Sequence, residues 1–194
     1  MLSLRVIAGD FKGRRLESPK GTDVRPTADR VKEAIFSMVQ LYIQNAVCLD
    51  LFAGTGSLGI EALSRGASKV YFCDSAPASL AAVRKNLDIC RADSRHAVVI
   101  TSDWRGACAG MKEKCNLVFI DAPFEMCEHY PQILATLAEK CVLDKNARII
   151  IERNDRKGGY ALPQGFTRLS EKRYGSIGVD LLLFNDDGDD GEEK

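Results

Sequence analysis

The stretch LDLFAGTGSLGIEAL, residues 49–63, decides the fold, because an apolar run containing an acid passes through three glycines into a helical pattern. Gly54, Gly56 and Gly59 match G-x-G-x-x-G, with a predicted strand before them and a predicted helix after them. Asp74 follows Gly54 by 20 residues and ends the next predicted strand, where such sites carry an acid for a ribose. The pattern therefore predicts a nucleotide-like ligand at the carboxyl edge of a parallel sheet.

Outward from this stretch, short apolar runs alternate with helical patterns from residue 47 onward. The spacing predicts strands over 47–52, 69–74, 97–103, 116–124 and 147–153, and helices over 58–66, 76–91 and 132–142. Residues 166–184 read as two antiparallel strands around the turn YGS. The expected fold is α/β, a Rossmann-like and mostly parallel sheet with an antiparallel C-terminal hairpin.

Three segments are expected along the chain. Residues 1–45 form an N-terminal extension, with a short hairpin over 4–19 and a helix that Thr27 can cap. Residues 46–185 form the catalytic domain, with no Pro/Gly/Ser-rich linker before it. Residues 186–194, DDGDDGEEK, carry a net charge of −5 and read as a disordered acidic tail.

Composition narrows the function classes. The 194 residues carry no net charge, so the chain before the acidic tail carries +5, too small an excess to establish a nucleic-acid partner. No apolar run approaches the roughly 18 residues of a membrane span. The N-terminus has charged residues at the positions where a signal peptide would have its apolar segment, so we expect a cytoplasmic protein. Seven scattered cysteines form no CxxC, which argues against both a disulfide framework and a metal site.

Asp50 distinguishes the possible ligands of the glycine loop. A carboxylate about 4 Å from a pyrophosphate charge is opposed by roughly 4 kcal/mol at an effective dielectric of 20. S-adenosyl-L-methionine instead brings an ammonium, a sulfonium and a ribose diol, so the sequence favours it, with Ala53 and the first two glycines around it. In ITSDWRG, Asp103 can accept from the adenine amine, with Trp104 beside the ring, or can cap the following helix.

VFIDAPF, residues 118–124, follows the fourth buried strand and predicts an acceptor site. Asp121 and the carbonyl of Ala122 can hold the protons of an exocyclic amine, while Phe124 stacks on a flipped-out base. Pro123 makes the turn rigid. Taken alone, the same residues also fit a strand that leaves the sheet through a proline turn.

These segments together resemble the RsmD-type family of 16S ribosomal RNA (guanine-N2) methyltransferases. RVIAGDFKGRRL, RPTADRVKEAIFSM, LDLFAGTGSLGIEALSRGA, VFIDAPF and YGSIGVDLLLF carry the likeness over nearly the whole chain. The resemblance implies S-adenosyl-L-methionine-dependent methylation of N2 of a guanine in small-subunit ribosomal RNA. It also implies that this RNA is recognised as part of a small-subunit assembly. It implies cofactor contacts at Asp50, Gly54, Gly56, Asp74 and Asp103, and contacts to the target base at Asp121 and Phe124.

The N-terminal segment of that family lies near the mouth of the site. Cofactor enclosure or RNA contact is therefore expected from Arg25, Thr27 and Arg30, with helix capping and surface charge as the alternative. Residues 1–33, the basic front end of the chain, hold eight Lys or Arg against five acids. This segment adds Arg14 and Arg15 as RNA-binding candidates. His129 lies close enough in sequence to line the mouth but is expected at the surface.

One position departs from the family, which has Asp-Pro-Pro-[Phe/Tyr] where this chain has Ala122 after Asp121. Alanine keeps the backbone carbonyl, and Pro123 still confines Ala122 to extended conformations, so activity is expected to survive. Other functions remain open from sequence: a nicotinamide-dependent oxidoreductase, an N6-adenine nucleic-acid methyltransferase, or a non-catalytic RNA-binding module. We expect a monomer that needs no metal and no membrane.

Overall fold

One seven-stranded sheet organises the computed structural model, which describes residues 4–18, 29–155 and 159–185, apart from the side chain of Phe124. The strand order is β3-β2-β1-β4-β5-β7-β6, with β1 to β5 parallel and β7 antiparallel to both β5 and β6. The strands are β1 Val47–Asp50, β2 Lys69–Asp74, β3 Ala97–Thr101, β4 Cys115–Ile120, β5 Leu143–Asn154, β6 Phe166–Tyr174 and β7 Ile177–Phe184. The predicted α/β sheet with an antiparallel C-terminal hairpin is confirmed.

Helices connect the parallel strands. They are α1 Asp29–Val39, α2 Ser57–Ser64, α3 Pro77–Cys90, α4 Trp104–Gly110 and α5 Tyr130–Glu139, with 3₁₀ helices at Gln40–Tyr42 and Phe124–His129. The first strand ends at Asp50, two residues earlier than predicted, because the chain turns there into the glycine loop. β5 begins at Leu143, four residues earlier than predicted. The acidic tail and the proposed cap at Thr27 lie outside the described residues.

Two apolar clusters cover the two faces of the sheet. One contains residues of α1, α2 and α3 together with Cys48, Phe72 and Phe119. The other contains residues of α4 and α5, including Trp104 and Tyr130. Five of the seven cysteines are buried in these clusters, as expected for core thiols. None of the helices described is long and apolar enough to cross a membrane.

The N-terminal segment packs on the same core as the sheet. The predicted hairpin is reduced to a single antiparallel bridge between Arg5 and Arg15, flanked by a backbone hydrogen bond from Leu16 to Leu4. Leu4 and Leu16 join the α1 cluster, with 6% and 7% of their surfaces exposed. This segment therefore lies close to α2, the helix that begins at the glycine loop.

A buried ion pair joins the N-terminal segment, α1 and α2. The Lys32 ammonium lies 3.3 Å from the Glu61 carboxylate and donates to the hydroxyl of Ser57 at 3.2 Å, while Glu61 accepts from the backbone N–H groups of Ile7 and Ala8. Burial lowers the pKa of Lys32, although the Glu61 charge opposes that effect. The start of α2 is thus anchored to residues far from it in sequence.

Candidate functional site

The five parallel strands each end in, or lead directly into, an acidic residue. Asp50 ends β1, Asp74 ends β2, Asp103 follows β3, Asp121 follows β4, and Glu152 lies near the end of β5. All five line one cavity of about 870 Å³, a volume typical of small-molecule sites. Parallel strands bring their carboxyl ends to one edge of the sheet, which explains why residues a hundred positions apart meet there.

The glycine loop forms one wall of the cavity. Asp74 fixes it by accepting from the N–H of Gly54 at 2.9 Å and from the N–H of Ala76 at 2.8 Å. Gly54 and Gly56 have φ of +53° and +77°, values that an L side chain rarely adopts. Ala53 and Gly54 line the cavity, whereas Gly56 does not and instead caps α2. At Gly54 the loop therefore brings its backbone close to a ligand.

Asp50 is the most buried acid at this edge, with 1% of its surface exposed. Its carboxylate accepts from the N–H of Gly59 in the first turn of α2 at 3.0 Å, so it serves α2 as a cap supplied from β1. Burial, opposed by the hydrogen bond from Gly59 and assisted by the charges of Asp121 and Asp74, raises the pKa of Asp50 to about 7. A positively charged ligand would relieve this cost.

The third strand delivers two of the predicted cofactor residues. Asp103 caps α4 by accepting from the N–H of Gly106 at 2.8 Å, so the capping interpretation has direct support. Its side chain is exposed and also lines the cavity, which leaves it accessible to a ligand. Trp104 lines the cavity while only 3% exposed, and the Arg105 guanidinium carbon lies 4.2 Å from the centre of its ring system.

The acceptor motif forms the opposite wall. Asp121, Ala122 and Pro123 all line the cavity, and the Pro123 carbonyl accepts from the N–H of Met126 at 2.8 Å as the chain enters the 3₁₀ helix. Burial raises the pKa of Asp121 to about 6. The backbone of Phe124 begins that 3₁₀ helix, but its side chain lies outside the described part of the structure.

Three of the RNA-binding candidates, Arg14, Arg15 and Arg30, are not among the described residues that line the cavity. The Arg14 guanidinium donates to the carbonyl of Ile89 at 3.0 Å and stacks over Phe11 at 5.3 Å. Arg15 and Arg30 are exposed. Arg25 lies outside the described residues. His129 is exposed at the end of the 3₁₀ helix, as expected, and is not among the described residues that line the cavity.

Sequence reasoning missed Glu152. The stretch ARIIIER was assigned to a buried strand, but the acid near its end was not compared with the acids that end the other parallel strands. Glu152 is only 5% exposed, and burial together with the Asp121 charge raises its pKa to about 9. A rule that every buried parallel strand ending in an acid contributes to the site would have found it.

The charges of the cavity favour an organic cation. Five acids line it against one basic side chain, Arg105, among the described lining residues. Over those same parts of the chain, no three His, Cys, Asp or Glu side chains come together as a group that could hold a metal ion. The arrangement can bind a cation against Asp50 and hold polar hydrogens against Asp121.

Three comparisons with known proteins agree with this geometry. Residues 4–182 match the family model described as conserved hypothetical protein 95. The chain is 37% identical to ribosomal RNA small subunit methyltransferase D of Haemophilus influenzae over 92% of both chains, and 33% identical to the protein of that name in Escherichia coli strain K12 over 92% of this chain and 88% of that one. The solved structure of "Putative methyltransferase yhhF" from Escherichia coli superimposes with a TM-score of 0.84 at 30% identity, covering 94% of this chain and 98% of that one.

Proposed function

The chain belongs to the conserved hypothetical protein 95 family, together with the ribosomal RNA small subunit methyltransferase D relatives, and from this membership we propose that it methylates N2 of a guanine in small-subunit ribosomal RNA. The methyl donor is S-adenosyl-L-methionine. One observation carries the proposal: two carboxyl groups of raised pKa, the buried Asp50 and the half-buried Asp121, line a single cavity beside the glycine loop.

The residues that line the cavity fit S-adenosyl-L-methionine as the methyl donor. Asp50 faces the cavity with a buried carboxylate that a cation stabilises, and Asp74 keeps lone pairs for ribose hydroxyls after binding the two N–H groups of its loop. Asp103 and Trp104 offer an acceptor and an apolar surface for the adenine. When bound, S-adenosyl-L-methionine supplies a methyl group on a sulfonium, and its positive charge favours this set over the pyrophosphate of a dinucleotide.

Asp121 prepares the acceptor nitrogen. The lone pair of an exocyclic guanine amine is delocalised into the ring, so the nitrogen becomes a better nucleophile when acceptors hold its protons. The Asp121 carboxylate and the Ala122 carbonyl are the two acceptors on this wall, and Asp121 takes the proton that the methylated nitrogen releases. Most of the acceleration then comes from holding the two reactants in line.

The rest of the substrate meets the outside of the protein. Phosphates of a folded ribosomal RNA can bind the exposed guanidinium groups of Arg15 and Arg30. Arg25 stays an RNA-binding candidate on the sequence alone. We propose that the protein acts in the cytoplasm, as a monomer, on an assembled small-subunit RNA. The basic front end would recognise RNA shape rather than sequence.

The test uses purified protein, methyl-labelled S-adenosyl-L-methionine and unmodified small ribosomal subunits, with the product mapped by nuclease digestion and mass spectrometry. We expect label on N2 of one guanine. Asp121→Ala should abolish labelling while cofactor affinity, measured by calorimetry, stays within about threefold of wild type. Asp144→Ala, an exposed acid at the opposite end of β5, is the matched control and should label normally. Label only on protein or DNA would refute the proposal.

A further inference from the structure

Glu152 lies beside Asp121 on the neighbouring strand. The register of β4 and β5 pairs Ile120 with Ile151, the last pair of the ladder. Asp121, which follows β4, and Glu152, the next residue of β5, are therefore neighbours at this edge of the sheet. Adjacent strands are about 4.8 Å apart, which places the two carboxyl groups within reach of one small ligand. Both residues line the cavity.

One oxygen of the Glu152 carboxyl group, Oε2, lacks a hydrogen-bond donor within the described part of the structure. This atom is buried without a hydrogen-bond partner among the described residues, although the residue is 95% buried and its own carbonyl is held by the hydroxyl of Tyr130 at 3.0 Å. A buried polar group left in this state costs free energy, so such groups in native proteins call for an explanation. Because Glu152 lines the cavity, a ligand that enters it and donates a hydrogen bond can satisfy this group.

The target base of the proposed function supplies such a donor. The Watson–Crick edge of guanine carries two adjacent N–H donors, on ring N1 and on the exocyclic N2. Adenine instead presents a bare N1 acceptor on that edge. Enzymes that take a base out of its stack read this edge by hydrogen bonds. A pair of carboxyl groups side by side matches two donors side by side. In the free protein burial favours the protonated form of Glu152, and an N–H donor of the bound base favours its ionised, accepting form.

We propose that Glu152 is a guanine-specificity residue that accepts the N1–H of the target base while Asp121 accepts an N2–H. This inference rests on the proposed function. It assigns Glu152 a direct contact with the substrate that leaves the methyl donor unaffected. It also explains why β5 ends its buried apolar run with an acid on the cavity side of the sheet.

The test compares two substrates and two enzymes. Small subunits are reconstituted with RNA that carries either guanine or 2-aminopurine at the methylated position, because 2-aminopurine keeps the exocyclic amine and lacks the N1–H. We expect wild type to prefer guanine in kcat/KM by at least tenfold beyond the ratio seen with Glu152→Ala. The comparison across enzymes cancels the intrinsic difference in reactivity between the two amines.

Further variants separate contact from folding. Glu152→Gln keeps the shape and can donate to the bare N1, so it should improve 2-aminopurine relative to guanine even if the alanine variant folds poorly. Calorimetric affinity for S-adenosyl-L-methionine should stay within about twofold of wild type in both. Glu128→Ala, an exposed acid of the nearby 3₁₀ helix, is the control and should keep the wild-type preference.

The outcomes are distinct. If the guanine preference is the same in wild type and in both Glu152 variants, Glu152 has only a structural role and the inference is overturned, while the proposed function stands. If wild type transfers label to no RNA at all, the proposed function fails and this inference fails with it. A preference that drops or inverts only in the Glu152 variants supports the contact.

Discussion

Folding raises the pKa of the Asp50 carboxyl group, so this group ionises less readily in the folded chain. The pKa of Asp50 is raised from 3.8 to about 7, mainly by burial, so the folded chain binds this proton more tightly than the unfolded chain does. The contribution of this group to the free energy of unfolding is therefore present at low pH and lost as the pH rises from about 4 to about 7. At neutral pH the ionised Asp50 carboxylate therefore lowers the free energy of unfolding, and it places a negative charge at the cavity.

Asp50→Asn tests whether the ionised carboxylate lowers the stability of the protein and favours cofactor binding. At pH 8 the variant without cofactor should melt at a higher temperature than wild type, whereas at pH 4 the two should melt together, because a protonated Asp and an Asn are both neutral. Its affinity for S-adenosyl-L-methionine should fall about 10- to 100-fold, as expected when a hydrogen bond or ion pair to a charged group is lost. Asp144→Asn should change neither quantity. Equal melting temperatures of Asp50→Asn and wild type at both pH values would contradict the raised pKa.

Helix α2 depends on the absence of a side chain at Gly59. A Cβ atom built there would lie 2.3 Å from Cε1 of Phe72, a buried ring of β2 that cannot move aside cheaply. The N–H of Gly59 also binds Asp50, so any displacement of α2 reaches the cofactor site. The third glycine of the motif thus serves helix–sheet packing, not ligand contact.

Gly59→Ala should lower the free energy of unfolding by about 1 to 3 kcal/mol, the usual cost of overpacking, and should weaken cofactor binding. Gly110→Ala is the matched control, since nothing lies within 4 Å of a Cβ added at the end of α4. That control should be neutral or slightly stabilising. Urea denaturation measures both. An equal effect of the two substitutions would show that the Phe72 contact does not limit the packing.

The buried pair between α1 and α2 differs from an exposed pair of the same chemistry. Glu61 is fully buried and holds Lys32, Arg65 and two backbone N–H groups of the N-terminal segment. Glu61→Ala should cost about 3 to 5 kcal/mol, because it leaves a buried ammonium without its partner. Glu17→Ala, whose pair with Lys85 is more than half exposed on both sides, should cost about 1 kcal/mol or less. Comparable losses in the free energy of unfolding for the two variants would show that the buried ion pair does not anchor α2.

At the scale of the whole molecule, the cavity links ligand binding to the stability of the entire sheet. Its walls come from all five parallel strands, so a ligand that binds only the folded state stabilises the whole domain. S-adenosyl-L-methionine at 100 times its Kd should add about 2.7 kcal/mol and raise the melting temperature by about 5 to 11 °C. NADH at the same concentration should produce no shift. A shift with NADH alone would favour the oxidoreductase alternative.

Local sequence signals were sufficient for most of the elements. The run 69–74 was predicted with the bounds that β2 has, and the glycine loop was found with the acid that fixes it, because periodicity and turn chemistry act over a few residues. Asp103 was left open between a ligand contact and a cap, and the structure shows the cap. The early start of β5 reflects a pairing partner, Cys115 of β4, that a local pattern does not contain.

What the sequence determined by itself was the order of strands and helices along the chain, the glycine loop, and an acid at the end of four of the five parallel strands. What only the tertiary structure decided was which acids become neighbours. Glu152 reaches Asp121 through the β4–β5 register, and Lys32 reaches Glu61 across 29 residues of chain. The physical reason is that hydrophobic periodicity is a local property, whereas burial, charge coupling and an unpaired hydrogen-bonding atom exist only after distant segments have packed together.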